Sequence, residues 1–334
     1  MDLATDYLGL RLRSPLVASA SPLSGTLDGI RSLADAGAGA VVLPSLFEEQ
    51  VVAAVERHDQ LAEAGTESFP ESLSFFPARE QNPGRRYLSL LERARAAVSI
   101  PVIGSLNGAT PGGWTGYARA MQDAGAAAIE LNVFHLVDDP PLTAREVEQR
   151  HVEILERVKD AVQVPVAVKI SPYFSSITEM AERLDQAGAD GLVLFNRFLH
   201  ADIDPETLQL VPGIGLSSPA DARLPRTWIA QLRGRVHASL AASTGVEDAA
   251  DVARYLLAGA DVVMTTSALL RNGADYLEVM TDGLVDWMAR KHFDDLRAVR
   301  GRLAVAVDGT SGGRERARYV DALGAANSDL HGPW

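Results

Sequence analysis

One phrase repeats along the chain and limits what it can fold into. "DAGAGAVVL" (35–43), "DAGAAAIEL" (123–131), "QAGADGLVL" (186–194) and "LAGADVVM" (257–264) each read as a helix end, Ala-Gly-Ala, and a short apolar strand. Gly37, Gly125, Gly188 and Gly259 would supply the left-handed residue that ends a helix before the chain turns into a strand. In "SIPVIGS" (99–105) and "QVPVAVK" (163–169), Pro101 and Pro165 stop a helix and open a strand, the strand position that proline tolerates. Adding "SPLVASAS" (14–21) and "VHASLAAS" (236–243) gives eight apolar strands, separated by helical patterns at 88–98, 114–124, 144–161, 176–187 and 246–257. Near-continuously apolar strands alternating with helices imply a parallel sheet covered by helices. Eight such units imply a closed (β/α)8 TIM barrel, an α/β fold. An open doubly wound sheet is the alternative; the count of eight and the lack of GxGxxG after the first strand weigh against it. The barrel is expected to be one domain over 1–292, with 293–334 a polar, Gly-rich C-terminal extension.

Composition removes several function classes. A formal charge of −13, with no block of Lys or Arg, argues against nucleic acid and anionic membrane surfaces as partners. No cysteine is present, so disulfides, thiolate zinc sites, a Cys nucleophile and an iron–sulfur cluster held by this chain are excluded. "MDLATDYLGLRLRSPLV" lacks the form of a signal peptide, and no stretch of about 18 apolar residues could span a membrane. The expected location is cytoplasmic.

In such a barrel the loops after the strands build the active site. Two are long, 46–87 after the second strand and 197–226 after the sixth, and both are expected to cover the C-terminal face. Phe69, Phe75 and Phe76 would be awkward in a plainly solvated loop and favour cover over a pocket. The residues that close the strands are Ala18-Ser19, Pro44-Ser45, Ser105 with Asn107, Asn132 with His135, Lys169 with Ser171, Asn196-Arg197, Ser243-Thr244-Gly245 and Thr265-Thr266-Ser267. No His/Asp/Glu cluster among them has metal-ligand spacing, so no metal is expected. Amides, hydroxyls, one lysine and one arginine suit a polar heterocycle and a phosphate.

Lys169 in "VAVKISP" is the sharpest single signal, because a charge at the end of a buried strand is costly unless paired. It could escape to solvent along its stem, act as a Schiff-base amine, or stand as a fixed cation beside a cofactor that becomes anionic when reduced. "AASTGV" and "VVMTTSAL" put small hydroxyl residues and a glycine after the last two strands, where barrels often bind phosphate, although helix capping by Ser243, Thr244 or Ser267 would look the same.

Taken together, "SPLVASASP", "IELN", "VAVKISPYF", "LVLFN", "ASTGV" and "TTSAL" resemble the dihydroorotate dehydrogenase family of FMN-dependent barrels, over about residues 3–292. The likeness is to its soluble members and to a divergent dihydroorotate dehydrogenase-like branch. The resemblance implies FMN across the barrel mouth, with Ala18 and Ser19 against the ring system and Ser105 and Asn132 hydrogen-bonding its edge. Lys169 would stabilise the reduced flavin, Thr244-Gly245 and Thr266-Ser267 would hold the phosphate, and Ser217-Ser218 would cover the ribityl side. Asn107, Asn132, Asn196 and Arg197 would face the substrate, a small molecule such as a carboxylate-bearing dihydropyrimidine in pyrimidine biosynthesis. A homodimer and a separate electron-transfer partner are also expected.

Four positions depart from the family pattern, all on the substrate side. Pro44 stands where a second lysine is usual, His135 where the active-site base is a Cys or Ser, Val137 where an Asn contacts orotate, and Arg197 where a hydroxyl residue follows the strand-six Asn. His135 could exchange a proton with a substrate carbon, since imidazole suits proton transfer near neutral pH. Arg197 could bind a substrate carboxylate through its fork, or pair with Asp202 or Asp204. The expected activity is oxidation or reduction of a C–C bond next to a carbonyl. A Schiff-base aldolase using Lys169 and a non-catalytic flavin-binding barrel are the rivals.

Overall fold

A computed structural model of the chain describes residues 1–53, 82–108, 111–133, 143–197, 201–212, 215–307, 316–317 and 319–326. Each Ala-Gly-Ala phrase forms the expected junction: Gly37, Gly125, Gly188 and Gly259 have φ of 94°, 91°, 92° and 122°. With the other four, the strands are β1 (Leu16–Ala18), β2 (Ala40–Val42), β3 (Val102–Asn107), β4 (Ala128–Asn132), β5 (Val166–Ile170), β6 (Gly191–Leu194), β7 (Ser239–Ala242) and β8 (Val262–Thr265). Every neighbouring pair is parallel and β8 pairs back with β1, so the sheet closes into a barrel. A helix follows each strand: α1 (Leu27–Asp35), α2 (Pro83–Ala97), α3 (Pro111–Asp123), α4 (Ala144–Ala161), α5 (Ile177–Gln186), α6 (Arg223–Leu232), α7 (Ala249–Ala258) and α8 (Tyr276–Arg290). The fold is a (β/α)8 TIM barrel.

The strands divide their side chains with a period of two. Leu16 and Ala18, Ile129 and Leu131, or Val166 and Val168 pack outward against the helices. Val17, Val42, Ile103, Ala128, Ala167, Val193, Ala241 and Met264 form a second, interior cluster. That cluster is completed from the N-terminal mouth by the hairpin Thr5–Tyr7/Leu10–Leu12, whose Tyr7, Leu8 and Leu12 enter the barrel. Thr5 Oγ1 donates to the Asp261 carbonyl at 2.9 Å and the Leu8 amide to Ser239 Oγ at 3.1 Å. Beyond α8, residues 293–305 lie on the same face: Arg300 pairs with Asp261 at 2.9 Å, and the Leu303 and Val305 amides bond to Leu257 and Ala230.

The two long loops carry structure of their own. After β2, Leu46–Phe47 adds a short strand beside Leu106–Asn107 of β3; Phe69, Phe75 and Phe76 lie outside the described residues. After β6, Ala201–Asp204 and Gln209–Pro212 pair as an antiparallel hairpin, and a 3-10 turn spans Pro219–Ala222. The loop is shorter than the expected 197–226, because α6 already begins at Arg223. Pro225 falls in its first turn, where no backbone N–H is required. Among the described residues no helix is long and apolar enough to cross a membrane.

Candidate active site

Interior positions turn from apolar to polar on approaching the C-terminal mouth: Val17 is followed by Ser19, Ile103 by Ser105, Ala128 by Glu130 and Asn132, and Ala167 by Lys169. Register sets Asn132 opposite Lys169 and Ser105 opposite Glu130. A cavity of about 320 Å³ opens at the ends of β1 and β5 to β8. Ser19, Lys169, Asn196 and Arg197 line one part of it, and Ser217, Thr244, Gly245, Thr266 and Ser267 the other. Among the described residues no group of three or more His, Cys, Asp or Glu could hold a metal ion.

The turn after β7 has an unusual backbone. Thr244 and Gly245 both sit at positive φ, 81° and 70°. For Gly245 there is no choice: a Cβ would stand 2.5 Å from the Ala222 amide nitrogen and 2.7 Å from the Ser218 carbonyl, so the turn packs directly on the loop after β6. Tyr255, on α7, supports the same turn from below. Its hydroxyl donates to the Thr244 carbonyl at 2.6 Å, with the Ser243 and Ala222 carbonyls at 3.3 and 3.4 Å. Burial pushes this phenol well above its ordinary range, so it stays a donor. Thr244 Oγ1 in turn donates to the Phe195 carbonyl at 3.2 Å.

The hydroxyls around that turn play different parts. Ser267 Oγ accepts from the Ser217 amide at 3.0 Å and pairs with Ser217 Oγ at 2.9 Å. Arg271 holds the Ser217 carbonyl at 2.8 Å and is itself paired with Glu247. Thr266 occupies a helix N-cap position but makes no cap bond; its hydroxyl is buried without a partner among the described residues. Ser218 lies at the exposed edge and caps the 3-10 turn through Asp221.

Across the mouth a chain of amides and hydroxyls joins the ends of four strands, β6, β4, β2 and β3. Asn196 Nδ2 donates to Asn132 Oδ1 at 2.6 Å, Asn132 Nδ2 to Ser45 Oγ at 3.4 Å, and Ser45 and Ser105 share a 2.7 Å hydrogen bond. Tyr87, on α2, fixes the Ser105 backbone by accepting from its amide at 2.7 Å. Lys169 is paired with Glu130 at 3.6 Å. Arg197 donates to the Gly215 carbonyl at 2.7 Å, whereas Asp202 and Asp204 accept from backbone amides of their own hairpin. Asn107 is buried at the end of β3, next to Phe47. The Ala18 methyl packs outward, which leaves its main chain for the mouth. His135 and Val137 lie outside the described residues. Ser45 was singled out only as one of the strand-closing hydroxyls, and Tyr87, Tyr255 and Arg271 were given no role; nothing local marks those three, because their partners are distant in the chain.

A model of the family described as dihydroorotate dehydrogenase matches residues 79–288, more than half of the chain. The chain belongs to the dihydroorotate dehydrogenase family. Members of this family depend on a flavin. The catalytic subunit of dihydroorotate dehydrogenase B (NAD(+)) from Halalkalibacterium halodurans is 34% identical over 194 residues, 56% of this chain and 64% of that protein. The protein of the same name from Methanothermobacter thermautotrophicus is 25% identical over 324 residues, 90% of this chain and 97% of its own length. That from Methanocella arvoryzae is 29% identical over 297 residues, 85% and 92% of the two chains.

Proposed function

We propose that this chain is an FMN-dependent oxidoreductase acting on a C–C bond next to a carbonyl, dihydroorotate to orotate or a related dihydropyrimidine being the reaction. The observation that carries the proposal is the meeting, in one cavity, of Lys169 with the turns after β7 and β8. The donors suit a flavin phosphate. Thr266 presents a buried hydroxyl with no other partner, Thr244 and Gly245 turn successive amides in a left-handed conformation, and Ser217 and Ser267 add hydroxyls. Bound FMN would supply the hydride acceptor. Ser19, Ser105 and Asn132 would meet its ring edge, and Lys169 would offset negative charge gained on reduction.

The substrate side belongs to Asn107, Asn132, Asn196, Arg197 and His135. The bond from Asn196 to Asn132 leaves the Asn196 carbonyl oxygen for a ring N–H of the substrate. Arg197 spends one nitrogen on Gly215, so its remaining donors can take a carboxylate while that bond orients the fork. His135 would hold or release the proton at the substrate carbon on the face away from the flavin. A separate protein would carry electrons onward, since this chain has no cysteine for an iron–sulfur relay and its relatives are named as catalytic subunits. Pairing of Lys169 with a buried carboxylate favours a fixed cation over the free amine that a Schiff base needs.

The test is spectroscopic. Purified protein should be yellow, release FMN on denaturation, and bleach anaerobically with dihydroorotate or a related dihydropyrimidine. A colourless protein that cannot be reconstituted with FMN overturns the proposal; trapping of Lys169 by borohydride with a carbonyl substrate would replace it with aldolase chemistry.

A further inference from the structure

An acid stands inside the barrel with almost nothing to answer it. Glu130, on β4, is 1% exposed, and among the described residues neither carboxylate oxygen has a hydrogen-bond donor. Its register neighbours are Ala167 on β5 and Ser105 on β3, whose hydroxyl is shared with Ser45, and Ala128 precedes it on the interior face. Lys169 Nζ, 3.6 Å from Oε1, is its one ion-pair partner among the described residues. Two other titratable groups face it. Tyr7 reaches in from the N-terminal hairpin with an unpartnered hydroxyl, and Tyr87 from α2 with its hydroxyl on the Ser105 backbone. Burial raises both phenols; the Ser105 hydrogen bond lowers Tyr87 in part, and the Glu130 charge raises both further. Neither phenol offsets the anion. An apolar residue would pack here at less cost than a lone carboxylate, so the acid is a poor choice for the fold. Its place beneath the cavity's lysine gives it a use.

We propose that Glu130 is a positioning residue for Lys169, anchoring the ammonium from within the barrel and cancelling part of its charge, so that it sets how strongly the site favours the reduced cofactor. The second half rests on the flavin reading; the first does not. Two electrons and one proton leave the flavin ring with a net negative charge. A lysine beside it favours that form, and an anion held against the lysine opposes it. Removing the carboxylate should therefore loosen Lys169 and make the flavin easier to reduce.

The chain has only three lysines, Lys159, Lys169 and Lys291, so modification by an amine-directed reagent can be followed at each by mass spectrometry. In full-length protein stripped of flavin, Glu130→Gln should raise the modification rate of Lys169 at least threefold. Lys159, paired with Asp190 at 2.6 Å, and Lys291 should be unchanged. In the flavin-loaded protein, equilibration with a redox dye should show the ratio of reduced to oxidised flavin raised at least tenfold, a shift of about 30 mV for a two-electron couple. Glu130→Asp, which withdraws the carboxylate by one methylene, should shift both readouts in the same direction by less, and tests the inference if the Gln variant does not fold. Unchanged labelling and potential in a flavin-loaded variant overturn the inference and leave the flavin reading standing. A lowered potential overturns the charge argument. A wild-type protein that takes no FMN overturns the flavin reading, while labelling still decides whether Glu130 holds Lys169.

Discussion

Replacing Tyr255 by Phe would isolate the support beneath the turn after β7. The ring is fully buried, and its hydroxyl donates to the Thr244 carbonyl at 2.6 Å. The substitution keeps the packing of the ring and removes the donor from a cluster of three carbonyls, those of Thr244, Ser243 and Ala222. A buried acceptor left unpaired costs about 1–3 kcal/mol, and the hydroxyl's own lost desolvation offsets part, so a net loss of about 1–2 kcal/mol follows. In a chain of 334 residues that lowers Tm by roughly 1.5–3 °C. About 1 kcal/mol of it should fall on the preorganisation of Thr244 and Gly245, which weakens FMN binding about fivefold. Thermal unfolding and fluorescence titration with FMN read the two effects. Tyr7→Phe is the control, since that phenol is equally buried but has no hydrogen-bond partner among the described residues; its loss should leave stability unchanged or raise it by up to about 1 kcal/mol. Wild-type FMN affinity in Tyr255→Phe, or equal stability losses in the two variants, would refute the reasoning.

Gly245→Ala forces a Cβ to 2.5 Å from the Ala222 amide at a φ of 70°; it should cost at least about 2 kcal/mol in thermal unfolding and weaken FMN binding at least about tenfold. His135→Ala and Arg197→Ala should each lower kcat/KM by about 100-fold or more with FMN still bound, and full turnover on the true substrate would remove both assignments. Burial works to raise the Asp185 carboxyl, but the backbone amides of His237 and Ala238 and the His237 imidazole hold it below its ordinary value. A depressed acid stabilises the fold above its unfolded pKa of about 3.9 and loses that contribution as pH falls toward the folded value. Asp185→Asn should therefore lower Tm at pH 7, with the gap to wild type closing below about pH 4.

The parts legible in the sequence were those written locally. Helix end, glycine and strand are neighbours in "DAGAAAIEL", so the barrel units could be counted before any contact was known. Lys169 was legible because a charge in an apolar run contradicts its surroundings. Tyr255 gave no such sign: in "VARYLLAGA" it reads as one more residue on an apolar helix face, and only the closed fold sets its hydroxyl under Thr244. Ser45 and Ser105 are 60 residues apart and meet only where the strand after β2 joins β3. The hairpin after β6 was missed because its turn places Leu208 at a φ of 53°, a conformation for which leucine carries no preference.

The hairpin that fills the N-terminal mouth has a consequence for how the molecule is made. Its Leu8 amide waits for Ser239, 231 residues further along, and Thr5 for Asp261, 256 residues further along. Until β7 and β8 have been synthesised, Tyr7, Leu8 and Leu12 have no completed interior to enter. Contacts of such long sequence separation form late, and the apolar hairpin stays exposed on the ribosome while the other strands emerge. Barrel closure therefore waits on the synthesis of β8, and until then the hairpin leaves an apolar surface open to premature association.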